Sequence, residues 1–592
     1  MNSRCLAYVL LGSVSFGLAC KGGGDVAPSF LEIIETAPEN GREDVQVEVR
    51  IAVRASDRID PATLTSETFF LTDEDGTVVP GTLTILDEPN AEPSQMGTAA
   101  ELKPDEPLAI LTNFTVTVTA DLMSTGGLAL EEDFDWGFKT LDAEWGESEW
   151  IEPLGPGTSS TQEIALDEQL NAIAVWEIDD GVGTSIYANR YTRTDLWGEA
   201  EPIDDGNGAA SNPKLAVDGA GNGFAVWLRT EDETSDPNIW ANRYDVDEGR
   251  WGAPALLQNG DVTRARDPSV AADRLGNAVA VWVQADMDTG DDVVRAIRYE
   301  PGTGWGDAVT IGVPSTRPGR TAVGMDDQGN AIAVWDPPAG PAGEGGRVLL
   351  ANRYTPGSDW AGAVPIKSDE TTSADGFRLD VGANGDAFVI WMQNDRSGGG
   401  GGTGGGGGAG GGGGGGGPEP RVHIYATRFS AGAWDEEPTE IASSVDRDKK
   451  DPDIAVDGAG VAYAVWSQLD PAFANIWAAQ YTPDTPGSWG TPELIEPENP
   501  DPTEDGDATV PRVDVNRAGN VFVVWRQIWD QWRSVWSNRR DPGTTWMTAE
   551  RIEDIPETAF LPIIAVDEAR HAHALWLHSD SDTLKLRTNR FE

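Results

Sequence analysis

The sequence predicts an all-β chain, an N-terminal β-sandwich followed by a β-propeller, and three observations carry that expectation. Short runs of alternating apolar and polar residues fill the chain, with Gly, Asn and Asp between them. A unit first clear at residues 211 to 257, SNPKLAVDGAGNGFAVWLRTEDETSDPNIWANRYDVDEGRWGAPALL, recurs with variation to the C-terminus. Each copy keeps two tryptophans in fixed places.

Within the unit, Lys214 to Asp218 and Gly223 to Trp227 flank Gly219, Ala220, Gly221 and Asn222, the sequence form of a β-hairpin. Asn238 to Tyr244 alternates again, and a strand from Trp251 to Leu257 completes four. The tryptophan closing the second strand recurs as Trp176, Trp227, Trp282, Trp335, Trp391, Trp466, Trp525 and Trp576. The one opening the fourth recurs as Trp145, Trp197, Trp251, Trp305, Trp360, Trp434, Trp489 and Trp546, at spacings of 52, 54, 54, 55, 74, 55 and 57. Four strands at such a period point to propeller blades, eight by this reading and seven as the alternative.

With the LAVD strand innermost, the last copy stops at Phe591 with three strands. The strand at 145–151, ahead of the first LAVD-like strand, is expected to supply its fourth and close a propeller spanning 145–592. The long interval holds Gly398 to Gly417, twenty residues of which eighteen are glycine, a tract expected to form a disordered loop between the second and third strands of one blade. Burial explains the tryptophans, since each can cover about 200 Å². The sharper reading makes some of them exposed platforms for sugars, as in propeller lectins.

The chain opens with Arg4 before an apolar run from Leu6 to Val14, a secretory leader too short to span a membrane stably. Phe16, Gly17, Leu18, Ala19 and Cys20 resemble the lipobox of bacterial lipoproteins. That resemblance implies a signal peptide at 1–19, acylation of Cys20 and a tether at 20–30. Lys21 favours the outer membrane, with the protein facing the periplasm or the surface. Cys5 lies in the segment removed, so no disulfide or cysteine-ligated metal site is expected.

Residues 31–141 carry no copy of the repeat. Strand-like runs occur at Val45 to Ala55, Phe69 to Leu71, Gly81 to Leu86 and Phe114 to Ala120. The words APENGREDV, IDPATLTSETFFLTDEDGTVVPGTL, FTVTVTADLMSTGGLAL and FDWGFKT resemble the bacterial Ig-like domain of surface-layer proteins. The resemblance implies a spacer or adhesive module without catalytic machinery.

The formal charge of −57 argues against nucleic acid or anionic lipid surfaces as partners. Membrane contact is expected only through the lipid anchor, and the chain is expected to be a monomer. In a four-stranded blade the turns between strands one and two are short here (GAGN, RLGN, ANGD, RAGN), whereas the connections on the opposite face are long and charged. Function is expected on that long-loop face.

Two groups there suggest ligands. Asp286, Asp288, Asp291 and Asp292 are candidates for weak Ca²⁺ binding, the one cofactor considered, although the spacing does not match an EF-hand. Arg264, Arg266, Arg317, Arg320, Arg447 and Lys450 enter the innermost strands and suggest a basic ring for an anionic ligand, with pairing to nearby Asp as the alternative. Asp167, Asp218, Asp273, Asp326, Asp380, Asp457, Asp514 and Asp567 read as one repeated turn residue, and the Arg of the NRY words as a structural partner.

No G-x-S-x-G, H-E-x-x-H or P-loop is present, and the sialidase word S-x-D-x-G-x-T-W is missing. His571 and His573 share a strand face without a third ligand. The sequence therefore favours a non-catalytic binding or adhesion module for a glycan or cell-surface protein. A carbohydrate-active enzyme and a structural envelope protein are the alternatives.

Overall fold

The computed structural model describes residues 30–592 apart from 75, 87–97, 106–107, 153–156, 170, 233–234, 259–263, 287–288, 313–318, 337–347, 368–373, 395–421, 443–447, 471–472, 484–486, 497–505, 530–531, 556 and 581–582. Every element among the described residues is a strand. Two compact units result, one up to Glu144 and one at Trp145–Phe591.

The first unit is a sandwich. One sheet runs Ile33–Ala37, Ile51–Ala55, Ala99–Pro104, Gly81–Leu86, and the other runs Arg42–Val45, Phe134–Thr140, Asn113–Val118, Phe69–Thr72, Val78–Val79. Their inner faces share a core that includes Ile51, Val53, Phe69, Phe114, Val116, Trp136 and Phe138. The expected single strand from Val45 to Ala55 is in fact two. Arg42–Val45 pairs in parallel with Phe134–Thr140, while Ile51–Ala55 sits inside the opposite sheet. The chain crosses between layers there, which an alternating pattern alone does not reveal.

The second unit contains eight antiparallel sheets, numbered here by their first strands: Thr158–Leu166, Ala209–Val217, Arg266–Ala272, Thr321–Met325, Ala374–Val381, Lys449–Val456, Ala508–Val515 and Ala559–Val566. In sheet 2 these residues pair with Gly223–Thr230, and that strand with Asn238–Asp245. The fourth strand is broken into Arg250–Trp251 and Ala255–Leu256, both on Asn238–Asp245. Sheet 8 takes its fourth strand from the start of the unit, where Glu149 and Trp150 pair with Thr588 and Arg587. First strands touch in sequence order, and Ala559–Val566 touches Thr158–Leu166, so the contacts run round all eight sheets.

Repeated side chains join the sheets. All eight second-strand tryptophans are essentially inaccessible, which excludes them as sugar platforms and makes them the core. In seven sheets the fourth-strand tryptophan packs on the aromatic ending the third strand, as in Tyr244–Trp251 at 5.7 Å and Tyr299–Trp305 at 5.5 Å, whereas the third strand of sheet 7 ends in Arg540. Buried Asn242 donates to the Ile203 carbonyl of the preceding sheet, as Asn352 does to Ile311 and Asn538 to Ile495. The NRY arginine lies over the third-strand aromatic of the next sheet: Arg190 over Tyr244, Arg298 over Tyr354, Arg539 over Phe591, and Arg590 back over Tyr191. The glycine tract lies outside the described residues, and the strands it joins, Ala387–Asn394 and Val422–Ser430, pair directly.

Candidate binding channel

First strands line the axis of the ring, so the site is built from their side chains. Seven of the eight begin with a register shift, at Ser211/Lys214 in sheet 2 and at equivalent places in six others, while Thr321–Met325 of sheet 4 pairs without one. A residue of positive φ sits in the shift, among them Thr161, Asn212, Asp267, Asp451, Val510 and Leu561, with glycine (Gly376) in sheet 5. Such a bulge bends the strand and redirects the side chains that follow.

Positions aligned with Lys214 reach to a neighbouring first strand. Lys214 pairs with Glu163, the Ser269 hydroxyl accepts from the Val323 N–H, Asp453 accepts from the Val513 N–H, and Arg378 Nε lies 3.5 Å from Asp453. Arg512 holds this position in sheet 7 and donates to the Pro511 carbonyl. Positions aligned with Ala216 are tighter. A Cβ added to Gly324 would lie 2.5 Å from the Val381 side chain, so five sheets use Ala there (Ala165, Ala216, Ala271, Ala455 and Ala565) and one uses Gly. Sheets 5 and 7 place Asp380 and Asp514 instead, each accepting the backbone N–H of the next first strand, from Val456 and Val566 at 2.7 Å.

This corrects the turn assignment of Asp380 and Asp514. In six sheets the turn carboxylate is as expected: Asp218 accepts from the Ala220 and Asn222 N–H groups and from the Asn222 amide, and Asp167, Asp273, Asp326, Asp457 and Asp567 act alike. In sheets 5 and 7 that place is held by Gly382, whose N–H donates to the Asp386 carbonyl, and by Asn516. The two aspartates stand two residues earlier, on the channel wall.

Burial pushes the Asp380 carboxyl up to about 6 and the Asp514 carboxyl up to about 7, and Asp453 adds repulsion to both. Burial likewise lowers the Arg378 guanidinium, opposed by Asp453 and reinforced by repulsion from Arg512 and Arg320. Three cations and three carboxyl groups of sheets 4 to 7 therefore sense one another across the channel.

From the level of Asp380 and Asp514 to the short-turn end, an axial cavity of about 270 Å³ is lined by residues from all eight sheets. Charged turn residues floor it. Arg274 pairs with Glu168, while Arg517 reaches across to Asp327 at 2.8 Å and also meets Glu568 at 3.3 Å.

The basic residues predicted at the mouth do not form one ring. Arg266 pairs with Asp292 at 3.0 Å, with Arg264 3.9 Å from the same residue, which begins the third strand, Asp292–Glu300, of their own sheet. Lys450 is exposed at the start of sheet 6, Arg320 is exposed, and Arg317 and Arg447 lie outside the described residues. Asp288 also lies outside them. Asp286 accepts from Thr289, Asp291 receives the Asp286 N–H, and Asp292 is taken by the arginines. Among the described residues no group of three His, Cys, Asp or Glu is placed to hold a metal ion. His573 is buried against Tyr191 and Trp197, which pushes its imidazole down to about 3. Its neighbour His571 contacts Asp567 at 3.2 Å.

Arg378, Asp453 and Arg512 were not singled out from the sequence. A signal was present: the words R-L-D-V-G and R-V-D-V-N stand in the fifth and seventh copies where the second has K-L-A-V-D.

Residues 27–140 match the family model of the bacterial Ig-like domain. No curated protein matches the chain. Among solved structures, a Hadza microbial sialidase is 10% identical, with 82% of this chain and 96% of that one covered at a TM-score of 0.34. A polysaccharide lyase, an ulvan lyase, is 14% identical over 64% and 93% at 0.40, and a Dyadobacter fermentans protein of unknown function is 10% identical over 66% and 96% at 0.35. Likenesses at these scores carry no functional weight.

Proposed function

We propose that the ring of eight sheets is an eight-bladed β-propeller serving as a non-catalytic binding module. In this reading acyl chains on Cys20 hold it at the outer membrane and the Ig-like segment is its spacer. Cys20 lies outside the described residues, and no helix among those described is long and apolar enough to cross a membrane. One observation carries the binding reading: side chains joining the sheets are copied round the ring, whereas the polar channel wall of Arg378, Asp380, Asp453, Arg512 and Asp514 occurs once. Copies hold a scaffold together, and a single departure from them marks a place for something else.

A glycan or a cell-surface protein is the partner class that suits a secreted, acidic, loop-rich module. The test is a glycan array probed with the purified chain, with and without Ca²⁺, followed by tryptophan fluorescence on each hit. Saturable binding lost on altering the channel wall is the expected result. A blank array in both conditions sinks the glycan reading and turns the search to protein partners. Glycoside hydrolysis has one observation in its favour, two channel carboxyls with raised proton affinity. Turnover of any hit, abolished by Asp514→Asn, would put that reading first.

A further inference from the structure

We infer that the axial channel holds a site for a small oxyanion, a carboxylate or sulfate group, bound by the guanidiniums of Arg320, Arg378 and Arg512 and reached from the long-loop mouth. The inference rests on the binding-module reading and names the chemistry of its site.

Four observations converge on it. Arg378 and Arg512 stand at the same register position of sheets 5 and 7, flanking Asp453 of sheet 6. Arg320 lies ahead of that layer, next to the first strand of sheet 4. Within a chain of net charge −57 these three cations gather around one axis, where Arg512 and Arg320 repel Arg378, Asp453 and Glu163 attract it and Asp267 faces Arg320, and a bound anion relieves the repulsion further. Among the described residues neither Arg320 nor Arg512 forms an ion pair, and Arg378 has Asp453 alone, at 3.5 Å. The guanidinium fork suits planar or tetrahedral oxyanions that accept two parallel N–H bonds.

The rest of the channel sets the size and direction of approach. The ion-paired turn residues Arg274, Glu168, Arg517, Asp327 and Glu568 obstruct the far end, so a ligand approaches from the mouth. Asp380 and Asp514 lie one layer deeper, their carboxylates held on backbone N–H groups of the next sheets. At neutral pH and above they repel an anion that goes further in. Below about pH 6 that repulsion fades, so affinity for the anion is expected to rise on acidification.

Calorimetric titration of the purified full-length chain distinguishes the sources of the anion and the two levels of the proposal. The probes are sodium sulfate, sodium acetate, galacturonate, galactose 6-sulfate and neutral galactose, at pH 5.5 and pH 8. The expected result is saturable binding of at least one anionic probe, weakened by salt, tighter at pH 5.5, and weakened at least tenfold in Arg512→Gln and in Arg320→Gln. Arg250→Gln, on the outer edge and paired with Glu248, leaves it unchanged. Arg320 is exposed, so its variant keeps the test valid should Arg512→Gln unfold.

Binding of sulfate or acetate that depends on the arginines, with no sugar binding, upholds the anion site while the glycan reading fails. Galactose bound as tightly as galacturonate, with the arginine variants unaffected, upholds the glycan reading and overturns the anion site. Absence of saturable binding by every anionic probe overturns it as well.

Discussion

Between sheets the side chains of strands two to four are copied, and along the axis the side chains of strand one are individual. Trp227 has seven buried counterparts and Asn242 has four that make the same cross-sheet bond, whereas Arg378 and Asp380 are matched only in sheet 7. The copied positions face tightly packed neighbours and have one workable solution. Along the axis the layer of Lys214 varies most, with Glu163, Lys214, Ser269, Arg378, Asp453 and Arg512 among its residues, whereas the tighter layer of Ala216 departs from small residues only at Asp380 and Asp514.

That contrast can be broken at several points. The largest effect is expected from Trp227→Ala, which removes an inaccessible indole and should cost about 3–5 kcal/mol, measured as a fall in midpoint by denaturant unfolding. An unchanged midpoint would deny that the copied tryptophans hold the scaffold. Next, Asn242→Ala leaves the Ile203 carbonyl without its donor and should cost about 1–3 kcal/mol.

A sharper test lies in pH. The Asp380 and Asp514 carboxyls are raised above their unfolded value by burial, so the folded state binds their protons more tightly. Stability is therefore full below about pH 4 and falls as pH rises through about 6 to 7, a loss that levels off beyond. Asp380→Asn with Asp514→Asn should flatten that part of the profile and raise the melting temperature at pH 8 by a few degrees. A double variant with the same pH slope as the parent would remove the wall carboxyls from the account. The smallest effect is expected from Arg250→Gln, within about 0.5 kcal/mol, because both partners of its ion pair are well exposed.

The all-β class and the Ig-like segment were legible because they rest on alternation and on whole words of sequence. The channel wall was not. Reading strand one as a straight L-A-V-D alternation made Asp380 and Asp514 look like the turn residue, since an Asp stands near the end of every copy. Aligning on the following turn would have shown Gly382 and Asn516 in that place. The bulge at Asn212 and its equivalents is less accessible still. It depends on a positive φ at residues as different as Thr161, Asp267, Val510 and Leu561, which no composition rule marks. The fate of Arg264 and Arg266 was decided by Asp292, a residue the sequence had assigned to a metal cluster.

The pairing of Glu149–Trp150 with the last strand has a consequence for how the unit assembles. The Leu586 N–H donates to the buried Glu152 carboxylate across 434 residues of sequence, and Glu152 lies 3.6 Å from Lys585. Hairpins inside each sheet need only neighbouring residues, but this latch waits for the whole unit to be made. Closing a loop eight times longer than one repeat adds about 2 kcal/mol of chain entropy, small beside the burial it completes. Loss of the final nine residues would therefore do more than shorten one sheet. It would leave two open sheet edges on a nearly finished ring, each a template for another copy of the chain.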